Sequence, residues 1–205
     1  HGTDVFLVQK HNMARGMTKK IIRRCNGTHF VSTALKEIIS QTCSRQAEEN
    51  DLIVPMVFGL NEFICPEDKV KTGGFLFVGR LLEVKGIDIL IQSYSEMCST
   101  SDENWTLDIV GDGMERKNLE KITQELQLND SVKFHGSLER EELIEMFHNS
   151  QALILPSKTT ESGEKEGLGV VLLEAMMAGI PVIGSDCEGI PEIITTEKTG
   201  LLVPQ

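Results

Sequence analysis

The chain has 205 residues, 40% hydrophobic and 25% charged, the balance of an ordinary globular protein with material for one domain or one and a fraction. Its formal net charge is −11 and unevenly placed, with 8 Lys/Arg against 4 Asp/Glu in residues 1–50 and 12 against 27 in the remainder. An acidic body excludes general nucleic-acid binding. No apolar run is long enough to span a bilayer, and no signal peptide opens the sequence. The five cysteines (Cys25, Cys43, Cys65, Cys98, Cys187) are scattered and lack metal-type spacing, so they read as reduced thiols and not as a disulfide framework.

Residues 1–72 carry the weakest pattern. The basic stretch from Lys10 to Arg24 reads as a solvated helix face or as a surface meeting anionic lipid or a lipid-phosphate acceptor. Thr28 to Val31 is β-prone, and Ser32 can cap a helix over Ala34 to Gln41. Leu52 to Val57 is apolar but contains Pro55, which marks an edge or an exit.

From Gly74 onward the alternation is regular. Phe75–Val78 predicts a strand, followed by the turn Gly79-Arg80-Leu81 and a helical stripe through Ile87, Leu90, Ile91, Tyr94, Met97 and Cys98. Thr106–Val110 predicts a strand ending at Gly111-Asp112-Gly113, and Leu119, Ile122 and Leu126 mark the next helix. Val132–His135 is a strand closing at Gly136. A charged turn, Glu139-Arg140-Glu141-Glu142, then precedes a helix through Leu143, Ile144, Met146 and Phe147.

The stretch from Ala152 to Ile194 reads as strand, loop, helix, strand, helix, and Leu201–Val203 as a last strand. Repeated β-α units predict an α/β fold: a Rossmann-like parallel sheet with helices on both faces and right-handed crossovers. Ligands of such sheets bind at the carboxyl ends of the strands, so the turns at 79–86, 111–114, 135–138, 156–169 and 184–191 all lie on the binding edge.

Within that stretch the polar residues cluster where strand gives way to helix. Glu166-Gly167-Leu168-Gly169 leads into an apolar run carrying Glu174. A helix start offers unpaired N–H groups and a dipole that favours anions. Glu166 and Glu174 are eight positions apart, just over two helical turns, so both can face one side. Glu174 lies among apolar neighbours and needs a partner, for which a sugar diol would serve. Alone, each residue also has a plain reading, as a helix surface residue or a turn glycine.

Taken together, Glu166-Gly-Leu-Gly-Val-Val-Leu-Leu-Glu174-Ala-Met-Met-Ala-Gly-Ile-Pro-Val-Ile resembles the donor-site signature of retaining glycosyltransferases with the GT-B fold, family 4. The resemblance implies the C-terminal half of a GT-B fold. Residues 73–205 would be the nucleotide-sugar-binding domain, truncated at its C-terminal end. Residues 1–72 would be the end of the acceptor domain and the linker. It implies a cytoplasmic enzyme that transfers a sugar with retention from a nucleotide-diphosphate-sugar donor to a saccharide or lipid-linked acceptor, and the lipid-facing reading of the basic segment would add membrane association. It implies no cofactor and no metal.

By the same resemblance, Arg80 and Lys85 in the motif from Gly79 to Gly86 would hold the diphosphate, and Gly111 and Gly113 would form the turn beside the nucleotide. His135 and Leu138 would lie near the base, and Glu174 would take the ribose hydroxyls. Glu166, with Gly167, Leu168 and Gly169, would face the donor sugar, and His1 would approach it from the opposite domain. Cations fixed at a leaving diphosphate stabilise the transition state more than the ground state. The sequence departs from the family at Val57 and Glu188, where glycine is usual, and its loop from Lys158 to Lys165 is long, reading as a cover or a surface insertion. A glycoside hydrolase pair is set aside because neither carboxylate has an evident tuning partner in the sequence. A GT-B nucleotide-sugar epimerase and a non-catalytic nucleotide-binding module remain as alternatives.

Overall fold

A computed structural model of the protein describes residues 2–44, 50–54, 59–101 and 103–205. The first part holds α1 (Gly2–Lys10), α2 (Asn12–Ile22), β1 (His29–Phe30), α3 (Thr33–Cys43) and β2 (Leu52–Ile53). β1 and β2 pair in parallel, His29 opposite Leu52. Their small core is Val5, Val8, Ile22, Phe30, Leu35, Ile39 and Cys43. Ser32 caps α3 as its sequence predicts, accepting from the Leu35 N–H at 3.2 Å.

Gly2 to Asp4 form the start of α1. Val5 and Val8 sit one turn apart and both bury against the small core, the spacing of a helix and not of a strand. His1 lies outside the described residues, as does 55–57 of the run beginning at Leu52.

The second part is larger. A 3₁₀ turn (Leu60–Phe63) leads to β3 (Phe75–Val78), a 3₁₀ turn (Glu83–Lys85), α4 (Ile87–Thr100), β4 (Leu107–Val110), α5 (Arg116–Glu125), β5 (Val132–Gly136), α6 (Arg140–Asn149), β6 (Ala152–Leu155), α7 (Val170–Met177), β7 (Val182–Ser185), a 3₁₀ turn (Ile190–Glu192) and β8 (Leu201–Val203). Six strands form one parallel sheet in the order β5-β4-β3-β6-β7-β8, with Leu76 opposite Asp108 on one side and Leu153 on the other. The unbroken apolar runs of β3 and β6 suit central strands covered on both faces. The main core includes Leu76, Phe77, Ile91, Leu107, Ile109, Leu153, Leu155 and Leu172. It reaches back to Phe63, which packs edge-on against Phe147 with ring centroids 5.1 Å apart. All five cysteines are free thiols.

Two local expectations are corrected. The charged segment 139–142 is not a turn ahead of α6. Arg140 through Glu142 form its first turn, with Glu139 at the N-cap and Glu142 completing a capping box. After β7 there is a single 3₁₀ turn and no α-helix. Pro191 is tolerated there, but the Thr195 N–H then bonds the Thr199 hydroxyl at 2.8 Å, side-chain bonding that competes with helix propagation.

Candidate functional site

The strand order reverses between β3 and β6, since β4 and β5 continue one way and β7 and β8 the other. Crevices of open α/β sheets form outside the carboxyl ends of strands at that switch point. A cleft of about 560 Å³ lies there, between the turn after β3 and the segment leading from β6 into α7. Gly79, Arg80, Lys85, Glu166, Gly167, Leu168 and Gly169 all line it. Leu7, Lys10 and His11 from the ends of α1 and α2 close the opposite side.

Glu166 is the organised group of the cleft. One carboxylate oxygen pairs with the Lys85 ammonium and accepts from the Ser157 hydroxyl at 3.0 Å, and the other accepts from the Gly167 N–H at 3.0 Å. Both side chains of the pair are mostly buried, 16% exposed for Lys85 and 12% for Glu166. Burial alone would raise the Glu166 pKa. The Lys85 charge and hydrogen bond, the Ser157 hydroxyl and the Gly167 N–H outweigh it, so the carboxyl is held below its ordinary value. Lys85 therefore pairs across the cleft and not with its neighbour Glu83.

Two readings of Glu166 change with this geometry. It precedes α7, which begins at Val170, so helical periodicity does not relate it to Glu174. It also has a tuning partner, Lys85, 81 positions away, which local sequence could not show.

Among the described residues, the remaining predicted ones, Gly111, Gly113, His135, Leu138 and Glu174, do not line this cleft. Gly111 and Gly113 are required by packing. A Cβ on Gly111 would meet the Gly79 carbonyl oxygen at 1.9 Å, and one on Gly113 the Leu81 oxygen at 2.3 Å, so the two strand-end turns touch backbone to backbone. His135 Nε2 bonds Asp108 Oδ1 at 2.7 Å across the neighbouring strand. Leu138 packs against the main core.

Glu174 is half-buried on α7, and its carboxylate has no hydrogen bond or ion pair among the described residues. Burial pushes its pKa up, and the charge of Arg140 at the start of α6 only partly offsets this. Its nearest charge thus stands just beyond the turn holding His135 and Leu138. A raised folded pKa means that the native state binds the extra proton, so stability falls as pH rises from the unfolded value towards the folded one. Glu174→Gln is therefore expected to raise the urea midpoint at pH 7, with the gain vanishing near pH 4, in denaturation curves at both pH values.

The loop from Lys158 to Lys165 is tied down at several points. The Lys158 N–H bonds the Val84 oxygen at 2.9 Å and its ammonium pairs with Asp88 at 2.8 Å. Lys165 pairs with Glu188, and Glu164 meets Lys10 of α1 at 3.0 Å. Sequence reading missed Ser157, Lys10 and His11. Ser157 follows the Pro156 that stops β6, and that adjacency was its only local signal. Among the described residues no cluster of His, Cys, Asp or Glu could hold a metal ion, and no helix is long and apolar enough to cross a membrane.

A doubly wound parallel sheet with its cleft at the switch point defines a Rossmann-type ligand-binding domain. The family is shown by the sequence itself: residues 66–205 match glycosyl transferases group 1, and the chain belongs to that family. It is 35% identical over 127 residues, 62% of this chain and 33% of the relative, to the GDP-mannose-dependent alpha-(1-6)-phosphatidylinositol monomannoside mannosyltransferase of Mycobacterium tuberculosis (strain CDC 1551 / Oshkosh). It is 33% identical over 130 residues, 63% of this chain and 32% of the relative, to the amylovoran biosynthesis glycosyltransferase AmsK of Erwinia amylovora. The chain thus spans about a third of the length of these curated relatives. Its fold matches GT-B glycosyltransferase structures. One is the sucrose-phosphate synthase of Thermosynechococcus elongatus, with a TM-score of 0.79 and 25% identity over 96% of this chain and 49% of that one.

Proposed function

We propose that this chain is the donor-binding part of a glycosyltransferase that moves a sugar from a nucleoside-diphosphate donor to a hydroxyl acceptor, with retention, in polysaccharide or glycolipid assembly. The observation that carries this reading is the Lys85–Glu166 pair, with Ser157, in the switch-point cleft of a chain belonging to glycosyl transferases group 1. Lys85 is a cation that an incoming diphosphate can share, and Arg80 lines the same cleft. Glu166 then lies free to accept from sugar hydroxyls. Names of relatives support the donor class: the mycobacterial enzyme is GDP-mannose-dependent. In this reading residues 73–205 form the donor domain and 1–72 the end of the acceptor domain with its linker. Glu174, with its raised pKa and a carboxylate that makes no hydrogen bond among the described residues, is assigned to the ribose hydroxyls, and Lys10 to Arg24 to contact with a membrane surface.

Titration calorimetry with UDP, GDP and ADP tests this directly. One nucleotide is expected to bind selectively, with affinity falling at least about tenfold in Arg80→Ala and Glu174→Ala. A folded protein that binds none of the three, or binds equally well in both variants, overturns the reading.

A further inference from the structure

Gly167 sits between the carboxylate of Glu166 and the start of α7, and as a glycine it has a backbone that its own side chain does not restrict. Two bonds hold it. Its N–H donates to Glu166 Oε1 at 3.0 Å, and its carbonyl accepts from the Ser32 hydroxyl at 3.0 Å. Ser32 is the N-cap of α3, the helix that carries Leu35, Ile39 and Cys43 of the smaller core, and it is fully buried, 0% exposed.

An N-cap serine needs only to accept, and Ser32 does so from Leu35. Its hydroxyl hydrogen is therefore available, and it goes to a carbonyl 135 positions away. The helix it caps is fixed to the main unit by a second contact. Glu192 receives the Thr33 and Ala34 N–H groups on its two carboxylate oxygens at 2.9 and 3.0 Å. The Thr33, Ala34 and Leu35 N–H groups at the start of α3, unpaired within the helix, are thus satisfied, two of them by a carboxylate from beyond β7. Gly189 keeps the target reachable: a Cβ there would meet the Gly167 oxygen at 2.2 Å. Ser32 and Gly189, from two separate segments, thus meet at the Gly167 carbonyl.

We propose that Ser32 is a positioning residue for the Glu166–Gly167 loop, transmitting the order of α3 to the donor cleft through its hydrogen bond to the Gly167 carbonyl. The link to a donor rests on the function proposed above; the ordering of the loop does not.

The test compares wild type with Ser32→Ala, Ser32→Gly and Ser32→Thr. Glycine is tolerated at an N-cap but cannot donate, whereas threonine can cap and donate. Amide exchange followed by mass spectrometry is expected to quicken about fivefold to tenfold over 164–170 in the Ala and Gly variants, and to return to the wild-type rate in Thr. An increase confined to the first turn of α3, with 164–170 unchanged, overturns the proposal. Should Ser32→Ala fail to fold, the Gly and Thr pair decides the same question. In calorimetry with whichever of UDP, GDP or ADP binds, affinity is expected to fall about fivefold in Ser32→Gly and recover in Ser32→Thr. If wild type binds none of the three, the proposed function fails while the exchange comparison still decides the role of Ser32.

Discussion

Lys85→Ala is expected to abolish nucleoside-diphosphate binding and to destabilise the fold by about 3 kcal/mol, the low end for removing one partner of a buried ion pair. The low end applies because Glu166 keeps two hydrogen bonds, from Ser157 and from the Gly167 N–H. The pH dependence should also reverse. In the wild type the Glu166 pKa is depressed, so its contribution is present above the unfolded value of about 4.3 and is lost as pH falls through the folded value. Without Lys85, burial dominates and the pKa rises, so the variant should gain stability relative to wild type as pH is lowered from 7 towards 4. The double variant Lys85→Met with Glu166→Gln removes both charges together and should recover most of the loss while still failing to bind. Urea denaturation at several pH values, with calorimetry at pH 7, measures all three. A Lys85→Ala protein as stable as wild type would show that the pair contributes nothing.

Gly86→Ala is expected to cost about 3 kcal/mol or more, because two penalties fall on one position. Gly86 has φ +63° where it ends the 83–85 turn and caps α4. A Cβ there would meet the Pro156 carbonyl oxygen at 2.0 Å, at the exit of β6 that leads to Ser157. Gly163 provides the control, with φ +81° and nothing within 4 Å of an added Cβ. Gly163→Ala carries only the left-handed backbone penalty, about 1 kcal/mol. A gap of about 2 kcal/mol between the two in denaturant unfolding isolates the collision. Equal losses would mean that the turn after β3 and the exit of β6 do not need to approach so closely.

The parts legible in the sequence are those where local pattern and tertiary burial agree. Phe75–Val78 and Ala152–Leu155 are unbroken apolar runs bounded by glycine or proline, and both are central strands. Ser32 ahead of a helical stripe is a cap with a mechanism, and it caps. What stayed hidden depended on pairing across the fold. The partner of Lys85 is not local: the switch point brings Glu166 to it from 81 positions away. Glu166 was found by its signature, yet its relation to Glu174 was read through a helix that starts only at Val170. Gly111 and Gly113 stood out as a turn, but no local pattern showed their packing role: the neighbouring turn's carbonyls occupy the space a side chain would need. Ser157 gave no pattern of its own because its role depends on where a distant carboxylate arrives.

The cleft's central claim is that a diphosphate meets Lys85 at the switch point. The most direct measurement is a crystal structure of the protein grown with the nucleoside diphosphate that calorimetry selects. Diphosphate oxygens should lie within about 3.2 Å of Lys85 Nζ, with Lys85 withdrawn from Glu166 and the phosphates facing the N–H groups at the start of α7. A diphosphate bound elsewhere, with the Lys85–Glu166 pair intact and the cleft holding only water, would contradict it.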